Sequence, residues 1–250
     1  MPFIDLAGNA YIKEPGLHIF ITGEKLKDSA LTTMSTRGGG TATALRIVFA
    51  LLCKPEFLNA PYREIVQAAE VALGAVGWVF RDLEERGYVA GNQRERNRRF
   101  LEPSRLFDEW VTNYPIKLRP KLNPRRFRAE NPEWWRTADL TQSGAYWGGE
   151  VAAYRLTNHL KPSVNTIYMR QPEAGNALTN LVRKHRLRSD PAGNIEVLDT
   201  FWNLPPVTER VDVVPPILAY ADLVATMDPR NLEVAMVLRT EHIDDALRKL

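Results

Sequence analysis

The spacing of hydrophobic positions changes along this chain, and each change marks a different kind of element. Up to about residue 28, short apolar runs alternate with turn residues. Phe3-Ile4-Asp5-Leu6, Ala10-Tyr11-Ile12 and Leu17-His18-Ile19-Phe20-Ile21-Thr22 are separated by Gly8-Asn9 and Glu14-Pro15-Gly16. Runs of that length bounded by Gly, Pro and Asn predict strands. A strand that opens at the third residue must find its partner later in the chain or outside it, which gives the expectation of a fragment of a longer protein. Residues 29–43 carry Ser and Thr with Arg37-Gly38-Gly39-Gly40-Thr41 and predict a flexible connector.

From residue 43 to 113 the period is helical. Leu45, Val48, Phe49 and Leu52 share one face, and Pro55 ends that helix. A second helix follows Pro61, with Ile65 and Ala68 or Ala69 inward. After a break at Glu70 to Gly74, a third carries Val76, Val79, Phe80 and Leu83 and stops at Gly87. Tyr88-Val89-Ala90 and Phe100-Leu101 then flank a polar tip, Gly91 to Arg99. Three helices followed by a hairpin predict a winged helix-turn-helix over 43–114, closed by a helix from Ser104 with Leu106, Phe107, Trp110 and Val111 on one side. Pro115, Pro120, Pro124 and Pro132 argue against a continuous helix, so 115–133 is expected to be a basic linker.

Residues 134–250 predict a second, α+β domain. Helices are expected from about Glu150 to Asn158, from Ala177 to His185, from Pro216 and after the Asp228-Pro229 cap. Strands are expected at Thr166–Met169, Ile195–Leu198 and Val211–Val214. The fold class is therefore α+β: a short β-rich segment and connector (1–42), a winged helix-turn-helix, a linker and an α+β C-terminal domain.

Charge sharpens this picture. The chain sums to +3, yet residues 86–128 hold twelve Lys or Arg against four Asp or Glu, a net +8, which leaves −5 for the rest. A mildly acidic body with one basic belt points to a polyanion met over a defined surface, and double-stranded DNA is the partner a winged helix suggests. The third helix would enter the major groove with Leu73, Gly74, Gly77, Trp78 and Arg81. The tip, with Arg94, Arg96, Asn97, Arg98 and Arg99, would follow the phosphates or the minor groove. Arg63, and Lys121, Arg125 and Arg126 of the linker, are further candidates for DNA contact, although a linker that only stays solvated would have the same composition. The third helix is poor in the side chains that make bidentate base contacts, so specificity is expected from Arg81, thymine methyl groups and DNA shape.

Composition excludes other classes. Apolar residues at 44% and charged residues at 25% are ordinary for a folded protein. No apolar run approaches the ~18 residues of a membrane span, and the start lacks the pattern of a secretory signal. A single cysteine, Cys53, fits a reducing cytoplasm and allows neither an internal disulfide nor a multi-cysteine zinc site.

Enzymatic readings are weak. The glycine run lacks the lysine of a phosphate-binding loop. His18, His159, His185 and His242 are scattered and read as solvated or core residues, so neither metal nor cofactor is expected. Asp5, Glu14 and Lys25 could form a nuclease-like cluster, and a nucleic-acid-processing enzyme that uses the winged helix for substrate delivery is the alternative class. Asp222 and Glu233 suit helix-surface or capping roles, and Trp134-Trp135 are expected as domain-interface anchors rather than base-stacking platforms.

The winged-helix order, followed by Trp147-Gly148-Gly149-Glu150-Val151-Ala152-Ala153 and by Pro215-Pro216-Ile217-Leu218-Ala219-Tyr220-Ala221-Asp222-Leu223, resembles the AbiEi-type antitoxins of type IV toxin–antitoxin systems over roughly residues 43–238. The resemblance implies a bacterial DNA-binding repressor, not an enzyme, that controls its own operon. It further implies a nucleotidyltransferase-like toxin that the antitoxin opposes without a stable complex. Repressors with this fold often bind paired half-sites, which adds a homodimer on DNA to the expected partners.

Overall fold

The computed structural model describes residues 3–4, 10–14, 17–21, 40–170 and 176–250. The chain divides into two compact units, Met1–Gly38 and Gly39–Leu250. In the first, the apolar runs form strands β1 (Phe3–Ile4), β2 (Ala10–Glu14) and β3 (Leu17–Ile21). They pair antiparallel in sequence order, with Tyr11 opposite Phe3 on one side and Phe20 on the other. The expectations for Asp5-Leu6, Thr22 and most of the glycine-rich connector fall outside the described residues.

The second unit starts with helix α1 (Ala42–Cys53). Thr41 caps it by accepting a hydrogen bond from the Ala44 amide at 3.1 Å. The sequence suggested one apolar face, but Ile47, Ala50 and Leu51 are buried as fully as Leu45, Val48 and Phe49. A helix that is apolar all round must be covered all round. Trp110 donates its indole N–H to the Leu45 carbonyl, and the Phe49 ring meets Trp110, Phe201 and Trp202 at 4.8 to 5.6 Å.

Helix α2 (Tyr62–Ala69) ends where Glu70 takes a left-handed φ of 52°, and α3 (Leu73–Glu85) follows after a short break. Strands β4 (Val89–Ala90) and β5 (Arg99–Phe100) make the hairpin, and α4 (Pro103–Asn113) buries Leu106, Phe107, Trp110 and Val111.

Residues 115–133 are not the linker expected. The chain continues from α4 through a wide helical turn (Tyr114–Leu118) and a tighter one (Arg119–Lys121) into strand β6 (Arg125–Arg128). Pro115 and Pro120 stand in the first turns of these short helices, where a missing N–H costs nothing. Leu118, Leu122 and Phe127 are buried.

The remaining strands are β7 (Ala145–Gly148), β8 (Asn165–Met169), β9 (Arg188–Ser189) and β10 (Ile195–Asp199). The sheet runs β7-β8-β10-β6-β9, with only β8 and β10 parallel. Helices α5 (Gly149–Thr157), α6 (Ala177–Lys184), α7 (Pro216–Ala225), α8 (Pro229–His242) and α9 (Asp244–Arg248) complete the unit. Asp228 caps α8 through the Arg230 amide at 2.8 Å. Val211–Val214 is not a strand: it makes one bridge, Val213 to Trp147, because Pro205, Pro206, Pro215 and Pro216 flank it and break any ladder. Trp134 and Trp135 are buried against Trp147, His185 and Tyr154, so they are core side chains. The described part of the molecule is mixed α+β.

Candidate nucleic-acid interface

Helix α3 turns Val76, Val79, Phe80 and Leu83 into the core and leaves an apolar side in solvent, with Leu73 51% and Trp78 46% exposed. Gly74, Gly77, Trp78, Arg81 and Arg98, five of the residues singled out from sequence, line one groove of about 430 Å³ together with Tyr62 and Glu84. The Arg81 guanidinium lies over the Trp78 ring at 4.9 Å from its centroid.

The fold does not require the two glycines. A Cβ at Gly74 would meet nothing within 4 Å, and one at Gly77 would touch Tyr62 Cε2 at an ordinary 3.8 Å. Glycine inside a helix costs about 1 kcal/mol relative to alanine. The pair leaves a bare ridge of backbone that an outside surface can approach closely.

The hairpin tip is a self-bonded turn. Asn97 Oδ1 accepts the Asn92 amide at 2.8 Å, Asn92 Oδ1 accepts the Glu95 amide at 2.9 Å, and Asn97 Nδ2 donates to Glu95 Oε2 at 2.8 Å. Gly91, at φ +100°, is obligatory there, since a Cβ would lie 2.4 Å from the Asn97 carbonyl oxygen. Arg94, Arg96 and Arg99 are exposed. Arg98 is not: it is 8% exposed and paired with Glu84 at 3.0 Å. The tip thus presents three of its four arginines, and Asn97 spends its amide on the turn.

At the hairpin base, Arg86 and the Tyr88 hydroxyl both donate to Glu109 of α4, Tyr88 at 2.6 Å. Burial works to raise the Glu109 carboxyl, and the hydrogen bonds from Tyr88 and Arg86 outweigh it, so its pKa lies below the ordinary value.

The other predicted contacts stand on other elements. Arg63 is exposed on α2, and Lys121 is exposed beyond α4. Arg125 pairs with Asp199 at 2.5 Å, while Arg126 meets Glu196 at 3.4 Å and the Gly193 carbonyl at 3.3 Å. These two arginines are committed to the sheet that β6 belongs to.

A buried polar centre escaped the sequence reading. Asp222 is 3% exposed, not a surface residue of its helix. It accepts from the hydroxyls of Tyr168 at 2.9 Å and Tyr114 at 3.1 Å, from the Gly149 amide at 3.1 Å and from Arg119 Nε at 3.3 Å. Arg119 also donates to Glu196 at 2.5 Å. Burial pushes the Asp222 carboxyl up against the pull of Arg119, and it raises both phenols. Gly148 is needed here because a Cβ would meet the Tyr168 ring at 2.5 Å. The two sequence motifs, Trp147–Ala153 and Pro215–Leu223, therefore meet at Asp222.

Among the described residues, no group of three His, Cys, Asp or Glu is arranged to hold a metal ion, and no helix is long and apolar enough to cross a membrane. Asp5 and Lys25 lie outside them.

The family described as transcriptional regulator, AbiEi antitoxin, type IV TA system matches residues 99–244, more than half of the chain, and the chain belongs to that family. No curated protein and no solved structure matches the chain.

Proposed function

We propose that this chain is the antitoxin of a type IV toxin–antitoxin system and a DNA-binding repressor of its own operon. Residues 42–101 act as a winged helix-turn-helix in which α3 enters the major groove and the β4–β5 hairpin is the wing. The observation that carries this reading is the groove on α3: an exposed tryptophan and Arg81 beside two glycines with no packing role, bounded by Arg98 of a hairpin whose Arg94, Arg96 and Arg99 face solvent. The glycine ridge lets the helix backbone sit close to base edges, Trp78 and Leu73 suit thymine methyl groups, and Arg81 suits guanine. Arg63 and Lys121 add phosphate contacts at the periphery.

The sheet-containing half carries the antitoxin role. Its functional partner is a nucleotidyltransferase-like toxin, which it opposes without a stable complex, and a homodimer reads paired half-sites. A gel-shift titration of the purified chain against its own upstream region and a scrambled duplex, at two salt concentrations, tests the proposal. Tight, competitor-resistant binding to the upstream region is expected. Equal, salt-labile binding to both duplexes refutes sequence-specific repression.

A further inference from the structure

We infer, on the DNA-binding reading just given, that Arg98 is a positioning residue that clamps the hairpin to α3, so that wing and reading helix meet a duplex as one rigid body. Its guanidinium carbon lies over the Phe80 ring, 3.9 Å from its centroid, and 5.8 Å from that of Tyr62, and those two rings are themselves stacked. Nε donates to Glu84 at 3.0 Å, Nη1 to Gln93 at 2.7 Å, and both Nη atoms to the Tyr62 hydroxyl at 3.2 and 3.3 Å. One side chain thereby joins α2, α3 and the hairpin tip. The backbone of the same residue is pinned as well, because the Asn59 amide group accepts from its N–H and donates to its carbonyl, each at 2.8 Å. Gln93 closes the ring by donating to the Ala60 carbonyl at 3.1 Å.

The strand ladder cannot do this work. Strands β4 and β5 are two residues long and pair at only two positions, and a two-stranded hairpin is marginal alone. The direction of the tip is therefore set by Arg98, while Arg94, Arg96 and Arg99 on either side of it stay free for phosphates. A lysine keeps the charge but not the planar fork that bonds three partners at once.

The test uses the full chain with Arg98→Lys and, independently, Gln93→Ala, which leaves the guanidinium on Glu84 and Tyr62. Amide hydrogen exchange over residues 92–97 is measured without DNA. Affinity for the upstream and scrambled duplexes is measured across salt. In Arg98→Lys, tip exchange is expected to rise by about tenfold, as loss of charged hydrogen bonds implies, and the ratio of specific to scrambled affinity is expected to fall in step. The salt slope stays as in the wild type because the number of cations is unchanged. Gln93→Ala shifts exchange and selectivity the same way, by less. A folded Arg98→Lys with wild-type exchange and selectivity overturns the clamp. If Arg98→Lys does not fold, wild-type behaviour of Gln93→Ala overturns it. A wild-type chain that binds no duplex removes the DNA-binding reading and the rigid-body role with it, whereas loss of the clamp alone leaves wild-type binding intact.

Discussion

Replacing Gly77 with alanine should make the protein more stable and worse at binding DNA. The position is helical and interior to α3. An added Cβ meets only Tyr62 Cε2, at 3.8 Å, which is van der Waals contact without strain. The substitution therefore recovers the propensity difference between glycine and alanine in a helix, about 1 kcal/mol. For a domain of this size that raises the melting temperature by about 2–4 °C. The same methyl group stands in the groove that Gly77 lines with Tyr62, Gly74 and Trp78, where the backbone is expected to approach base edges, and specific affinity should fall by about tenfold or more, a loss near 1.4 kcal/mol. Differential scanning calorimetry and anisotropy titration against the upstream duplex measure the two effects on one sample. Since most substitutions destabilise, a gain in stability is already a discriminating result. A stabilised variant with wild-type DNA affinity would refute the assignment of this ridge to the interface, and a destabilised one would refute the packing argument.

Three further outcomes follow from the same geometry. Asp222→Ala removes the buried acceptor shared by Arg119, two phenols and the Gly149 amide, which should cost about 3–5 kcal/mol in urea unfolding, whereas Glu233→Ala, exposed on the next helix, should leave the midpoint in place; equal effects would contradict the buried centre. Phe49→Ala removes a ring shared by α1, Phe201 and Trp202 and should cost about 3–5 kcal/mol, with helical and sheet signals melting together, so separate transitions would show the 39–250 unit to be divided. The Glu109 carboxyl titrates below its ordinary value in the fold. Its contribution to stability is therefore present above the unfolded pKa, near 4.5, and is lost as pH falls through the lower folded value. The stability gap between wild type and Glu109→Gln should be open at neutral pH and closed in acid, and a gap independent of pH would remove Glu109 from the hairpin base.

What could be read from sequence followed the strength of each local signal. Helices α1 to α3, the hairpin and the proline-capped α7 and α8 announce themselves by period and punctuation. Strand β6 does not: Arg-Arg-Phe-Arg looks like solvated linker because the carboxylates that receive Arg125, Arg126 and Arg128 come from Asp199, Glu196 and Asp190, far along the chain. Arg98 looks like its neighbours until Glu84 and Tyr62 are brought to it. Asp222 was legible in principle. Helix α7 reads Pro-Ile-Leu-Ala-Tyr-Ala-Asp-Leu-Val-Ala, apolar on every side, and a lone carboxylate in such a helix has no polar face to occupy, so it must be buried and hydrogen-bonded. Its partners, Tyr114, Arg119, Tyr168 and the Gly149 amide, are set by topology and leave no local trace.

The central claim is that α3 and the hairpin bind operator DNA through a small, countable set of cations. The most direct measurement is the salt dependence of affinity for the upstream duplex in the wild type and in Arg94→Ala/Arg96→Ala/Arg99→Ala. Each lost phosphate contact should reduce the log–log slope by about 0.9, so the triple variant should bind more weakly and with a slope lower by nearly three. An unchanged slope and affinity would contradict the account.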